Sequence, residues 1–252
     1  MLLLNCIRKR ASAGGVAATG DPYWASVVLL IGAETTGSPQ AFVDESPVGR
    51  ALTIVNNVFP DTAQFKFGAQ SARFDGNADA ITAADSGDWT PGTAEPFTIE
   101  AWARFASFPT AETGCAIVSH FNSTGNQRSW SFDLINTTSP QLLRFLYSLN
   151  GSTSTQVLGD WIPSANTWYH LAVTRQADGT IMLFADGVVL TTNAGTTAAL
   201  HDSSDLLRIG LINTTTPNRY WMDGWIDELR ITKGVARYTG SFTPPVAAFP
   251  RG

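Results

Sequence analysis

The stretch DGWIDELRIT, late in the chain, gathers Asp223, Asp227 and Glu228, residue types that hydrolyse glycosidic bonds or bind hard cations. A retaining glycosidase needs two carboxylates about 5–5.5 Å apart in one cleft. On a strand, adjacent side chains leave on opposite faces, so Asp227 and Glu228 are not that pair. The face neighbours of Asp227 are Trp225 and Leu229, and those of Glu100 are Thr98 and Trp102, so neither acid has an acidic companion. A serine mechanism fares no better. His120, His170 and His201 are scattered, and His170 lies mid-strand in WYHLAV, where a packed or hydrogen-bonded role is expected. No Gly-x-Ser-x-Gly elbow, phosphate-cradling glycine loop or dinucleotide-binding unit occurs. No catalytic residue is assigned.

Calcium is a livelier chemistry, since it takes six to eight oxygens from loop carboxylates and carbonyls. Asp75, Asn77 and Asp79 in FDGNAD, Asp44 in VDESPVG, and Asp223, Asp227 and Glu228 supply such groups. Asp227, on the face of Trp225, Leu229 and Ile231, is expected to point into the protein interior, where a carboxylate must be paired, hydrogen-bonded or metal-bound. Two readings are open: backbone amides or an arginine as its partner, or a structural Ca²⁺ held with Asp75 and Asp79. Asp75, which precedes Gly76, is equally a turn residue. No cofactor is required; Ca²⁺ is the one candidate.

For a sugar, the useful chemistry is an exposed aromatic platform flanked by amides and charges. NTTTPNRYWMDGW offers Asn218, Arg219, Tyr220 and Trp221, and NSTGNQRSW offers Asn126, Gln127, Arg128 and Trp130. Arg219, Tyr220, Trp221 and Trp130 are the candidate ligand-binding residues. The alternative is that the tryptophans fold inward as lids on the core.

These groups must be positioned by strands. ASVVLLIGA is a continuous apolar run suited to a strand buried on both sides. FTIEAWARF alternates Phe97, Ile99, Ala101 and Ala103 with Thr98, Glu100, Trp102 and Arg104. In TWYHLAVTRQADGTIMLFADGVVLTT, Asp178–Gly179 and Asp186–Gly187 sit between apolar segments and predict a three-stranded meander. ALTIVNNV, SARFDGNADAIT, SWSFDLI, LLRFLYSL, LLRIGLI and GWIDELRIT add further strands, with a turn at NTTSPQ. Beyond one turn around GVARY no helix is expected, and many short strands with frequent turn signals imply an all-β, two-sheet antiparallel sandwich, a jelly roll.

With 44% hydrophobic and 15% charged residues the chain is a folding one, and a net charge of −5 without a basic run argues against nucleic acid. Cys6 and Cys115 are expected to be free thiols. Residues 1–23 read as a leader, either disordered or an arm that orders against a neighbouring subunit through Leu2, Leu3, Leu4 and Ile7. Its basic residues follow the short apolar run, so it does not read as a signal peptide, and no membrane span is expected. Residues 24–240 form one domain, and 241–252 a tail stopped by Pro244 and Pro245, which Tyr238, Phe242 and Phe249 pin along the sandwich edge or which reaches a neighbour.

QSARFDGNADAIT, FTIEAWARF, WYHLAVTRQADGTIMLFADGVVL, LRIGL and GWIDELRI occur in the order of the laminin-G-like jelly roll of the concanavalin A-like lectin/glucanase superfamily, which residues 24–245 resemble. DPYWASVVLLIGAE and IDELRITKGVARYTGSFTPP look like the laminin-G-like domains of tailed-bacteriophage virion proteins. The resemblance implies a module that binds glycan or protein, often with Ca²⁺. In that reading it is a capsid decoration or tail or fibre protein whose partners are other virion proteins or copies of itself, with a surface glycan as ligand. The superfamily's laminarinase-type glucanases flank a strand Asp with Glu residues; Trp225, Leu229 and Arg230 around Asp227 depart from that spacing.

Overall fold

The computed structural model describes residues 20–34, 41–108, 113–136, 141–214 and 220–252. The proposed arm residues Leu2, Leu3, Leu4 and Ile7, together with Cys6, Asn218, Arg219 and most of the NTTSPQ turn, lie outside the described residues. The apolar runs fold as strands. One sheet contains β1 (Val27–Ile31), β3 (Phe59–Asp61), β4 (Ser71–Asp75), β6 (Phe97–Phe105), β11 (Trp168–Arg175), β12 (Ile181–Ala185), β13 (Val188–Asn193) and β15 (Asp223–Lys233). Its order is β13-β12-β11-β6-β15-β4-β3, with β1 also pairing with β15. The second sheet, in the order β10-β9-β8-β7-β14-β5-β2, contains β2 (Leu52–Val55), β5 (Ala80–Ala83), β7 (Gly114–Asn122), β8 (Gln127–Asn136), β9 (Gln141–Tyr147), β10 (Thr155–Trp161) and β14 (Leu207–Ile209). The two antiparallel sheets form the expected sandwich.

Alternation fills the space between them. Phe97, Ile99, Ala101, Ala103 and Phe105 of β6 meet Trp130, Phe132 and Leu134 of β8 and Leu143, Phe145 and Tyr147 of β9 in one cluster. All residues of β1 are buried, as its unbroken apolar run requires. The meander β11-β12-β13 is closed by Asp186 (φ 47°) and Gly187 (φ 75°), the paired left-handed conformations of a two-residue hairpin turn. Asp178–Gly179 belongs to a wider turn in which Gln176 N donates to the Thr180 carbonyl at 2.8 Å. The helical turn expected around GVARY is absent; single 3₁₀ turns occur instead at Trp24–Ser26 and Gly87–Trp89.

Part of the outer face of the first sheet is covered, and this changes the reading of the polar residues beneath. The chain after β15 folds back across it: Thr98 Oγ1 donates to the Val235 carbonyl, Thr174 Oγ1 to the Tyr238 carbonyl, and Phe242 N to the Gly187 carbonyl. Tyr238 and Phe242 stack at 3.5 Å, and Phe249 is buried against Val27, Leu30 and Trp102. The tail is pinned over the sheet's face rather than its edge. Asp21, placed by sequence in the leader, is also part of this layer, held by Arg230 and Arg237.

Candidate binding surface

Strand β15 carries the acids and does not keep strict alternation. Its register against β6 runs Asp227↔Trp102 and then Arg230↔Glu100, an extra residue that makes a β-bulge. Glu228 sits in the left-handed region at φ 50°, a conformation that costs a β-strand residue about 1 kcal/mol or more. Arg251 offsets that cost by donating to both Glu228 carboxylate oxygens at 2.9 and 3.0 Å, and Phe249 N adds a third bond at 2.7 Å. Because of the bulge, Ile226, Leu229 and Ile231 enter the core while Asp227 joins Trp225 and Arg230 on the outer face. The expectation that Asp227 shares a face with Leu229 and Ile231 and points between the sheets is therefore corrected. It is nonetheless fully buried, under the segment before β4, and its Oδ2 accepts from Lys66 N and Phe67 N at 2.8 and 3.0 Å. Burial, with the negative charge of Glu228 added, outweighs those amides and lifts the carboxyl to about 7.

The remaining buried acids are committed to the fold. Glu100 accepts from Arg230 Nε and Nη2 at 2.9 and 2.7 Å on one oxygen, and from Tyr238 Oη at 2.7 Å on the other, which also lies 3.1 Å from His170 Nε2. Burial opposes its ionisation, yet Arg230 and the two hydrogen bonds hold it at about 2. His170 is thus a fully buried structural group, as its mid-strand position suggests. Asp44 accepts from Leu30 N and Ser46 N on one oxygen and from Ser46 Oγ and Arg50 N on the other. Asp79 binds Asn57 N and Asp75 N, and Asp75 Oδ1 accepts from Asn77 N, the pattern of a turn. Asp223 pairs with Arg73 Nη2 at 2.9 Å and Ser107 Oγ at 2.6 Å. Asp75 lies opposite Asp223, whereas Asp227 pairs elsewhere along β15, under Lys66 and Phe67. Among the described residues no cluster of three or more His, Cys, Asp or Glu is placed to hold a metal.

The two aromatic candidates separate. Trp130 is 1% exposed, its indole N–H donating to the Trp89 carbonyl at 2.6 Å, so it is a core residue and offers no platform. Its loop is used in folding: Gln127 Oε1 accepts from Ser204 N and Ser203 Oγ, and Arg128 donates to the Ser152 carbonyl. The pocket beside Trp89, Trp130 and Phe97 is about 10 Å³, room for a water and not for a sugar ring. Tyr220 is half-buried on the outer face of the second sheet, beside Ala116, Phe121, Leu146 and Ile212. Trp221 follows it and bridges to Leu211. Gly114 is required here, because a Cβ on it would lie 2.1 Å from the Tyr220 ring.

Beneath Tyr220 lies a pair that the sequence reading did not single out. Arg144 on β9 donates from Nε and Nη2 to both oxygens of Asp133 on β8, at 2.8 and 3.0 Å, and its guanidinium stands 5.3 Å from the Tyr220 ring centroid. Burial opposes the Arg144 charge, but Asp133 outweighs it and raises the pKa. The signal was present as alternation: Ser129, Ser131 and Asp133 occupy the face opposite Trp130, Phe132 and Leu134.

With the sandwich in place, the family follows. Residues 75–237 match the laminin-G model (Laminin_G_3) of the Concanavalin A-like lectin/glucanases superfamily, and the chain belongs to it. No curated protein sequence matches the chain. Among solved structures it is similar to the binding domain of Paraclostridial Mosquitocidal Protein 1, at 13% identity and a TM-score of 0.63 over 88% of this chain and 50% of the other. Botulinum neurotoxin type C, whose cell entry is described as dependent on two ganglioside molecules, matches at 17% identity and a TM-score of 0.62 over 83% and 48%. The serotype D ligand-binding domain in complex with N-acetylneuraminic acid matches at 12% and 0.61 over 88% and 49%. The chain spans about half the length of each, and the likeness defines the fold.

Proposed function

We propose that the chain is a non-enzymatic, lectin-like module of a virion surface, a capsid decoration or a tail or fibre component, that adheres to surface glycans. The observation that carries the reading is Tyr220, a half-buried aromatic on the outer face of the second sheet, seated on the buried Arg144–Asp133 pair, which holds the ring as a platform for sugar C–H groups. Glu100, Asp133, Asp227 and Glu228, the buried acids nearest in type to a hydrolase pair, are each bound to groups of the protein itself. The ganglioside and N-acetylneuraminic acid named for the similar toxin domains support a glycan as ligand. The virion setting is supported by the resemblance of DPYWASVVLLIGAE and IDELRITKGVARYTGSFTPP to phage proteins. Leu2, Leu3, Leu4 and Ile7 would dock the module on other virion proteins or on a second copy, and repetition on a particle would add avidity. No cofactor is needed for this role.

A glycan array tests the ligand, with Tyr220→Ala expected to weaken the strongest signals about tenfold or more while the fold is retained. Silence of the wild type across the array, or signals untouched by Tyr220→Ala, would overturn that assignment. Antibody labelling of purified particles tests the setting, and intact particles without the chain would refute it.

A further inference from the structure

A second surface lies on the other sheet, where the strand register places five side chains in one row. The Cα partners run Phe59 (β3) to Arg73 (β4), to Trp225 (β15), to Arg104 (β6), to Trp168 (β11). The inward neighbours Ala72, Phe74, Ile226, Ala103 and Phe105 belong to the core, so the row stands on the outer face. Most of it lies outside the stretch of this face under the tail: Phe59 is 48% exposed, Arg73, Trp225 and Arg104 are half-buried, and Trp168, also half-buried, packs against the cluster of Val27, Leu30, Trp102 and Phe249.

Arg73 and Arg104 both stack on Trp225, with guanidinium carbons 4.6 and 5.2 Å from the ring centroid. Stacking fixes the planes of the two forks and reduces the freedom lost when an anion is bound. Their charges are not equally committed. Arg73 is paired with Asp223 at 2.9 Å. Arg104 makes no ion pair among the described residues; its Nη2 reaches Asn166 Oδ1 at 3.4 Å, and its Nε is buried without a hydrogen-bond partner. Asp61, which accepts from the Trp225 indole at 2.7 Å, and Asp223 flank the row with acceptors.

Alternate members of the row are two strands apart, so the aromatic groups recur at about 10 Å, with a cationic fork between each two. We propose that this row is a binding surface for an extended glycan bearing carboxylates. Arg104 takes the carboxylate as a fork, the edges of Phe59, Trp225 and Trp168 contact the sugar rings, and Asp61 and Asp223 accept sugar hydroxyls. A nucleic-acid backbone suits the row less well, because Asp61 and Asp223 would face its phosphates. The inference shares a ligand class with the reading at Tyr220 but no residue, so Tyr220→Ala separates failure of one from failure of the other.

The test is affinity electrophoresis of the full chain through gels containing polysialic acid, dextran, heparin or single-stranded DNA. Retardation by polysialic acid is expected, weakening with added salt and reduced about tenfold by Arg104→Gln. Arg104→Lys should be intermediate, and Arg208→Gln on the opposite sheet should match the wild type. A common unfolding midpoint for all variants shows that each is folded. Retardation by dextran equal to that by polysialic acid, stronger retardation by heparin or DNA, or an Arg104→Gln chain that binds like the wild type would each overturn the proposal.

Discussion

Asp227→Asn removes one negative charge from the covered face of the first sheet and keeps an oxygen for the amides of Lys66 and Phe67. Burial, reinforced by Glu228, lifts the Asp227 carboxyl from 3.8 to about 7. In that interval the folded chain holds a proton that the unfolded chain has released, so the wild type loses stability as pH rises from 3.8 to about 7. The separation corresponds to at most about 4 kcal/mol at neutral pH. In a domain of this size that is a midpoint shift of about 8–16 °C. Asparagine does not titrate, so the variant should match the wild type near pH 4 and exceed it above pH 7. Other groups act in the opposite sense, Glu100 and His120 among them. Glu100, held at about 2, contributes stability that is lost as pH falls from 4.5. His120, lowered by burial, contributes stability that is lost as pH falls through 6.5. All of these are common to the two proteins and cancel in the difference. Urea unfolding of both chains between about pH 4 and pH 8 measures that difference. A variant weaker by a constant amount at every pH would refute the reasoning, because Asp227 would then be a carboxylate stabilised by its amides.

Arg230→Met leaves Glu100 buried without its main cation and should cost about 3–5 kcal/mol in urea unfolding, with much of the loss recovered by adding Glu100→Gln. Trp130→Ala removes a core indole and its bond to the Trp89 carbonyl, and should cost about 3–5 kcal/mol while leaving glycan binding by the folded fraction unchanged. Calcium or a chelator should not move the thermal midpoint, since Asp75 and Asp79 are engaged in a turn and Asp227 with two amides; a clear rise with calcium would restore a metal site.

The sandwich was legible because its signals are local. Alternation in FTIEAWARF separates the core residues from Glu100 and its neighbours, and Asp186–Gly187 forms the hairpin turn its chemistry requires. Asp227 was misplaced because a bulge is not local: Arg251 and Phe249, far along the chain, hold Glu228 in the conformation that shifts the face. Trp130 and Tyr220 look alike as aromatics next to polar loops. The tertiary neighbours Trp89 and Arg144 decide which one enters the core. The row from Phe59 to Trp168 was invisible for the same reason, since it exists only once five strands have their register.

The central claim is that this sandwich holds glycans and does no chemistry on them. Calorimetric titration of the chain with an array-selected oligosaccharide, followed by mass spectrometry of the recovered sugar, tests both halves. The account predicts saturable binding that Tyr220→Ala weakens, with the oligosaccharide returned intact. Cleavage of the sugar, or an absence of heat at every concentration, would contradict it.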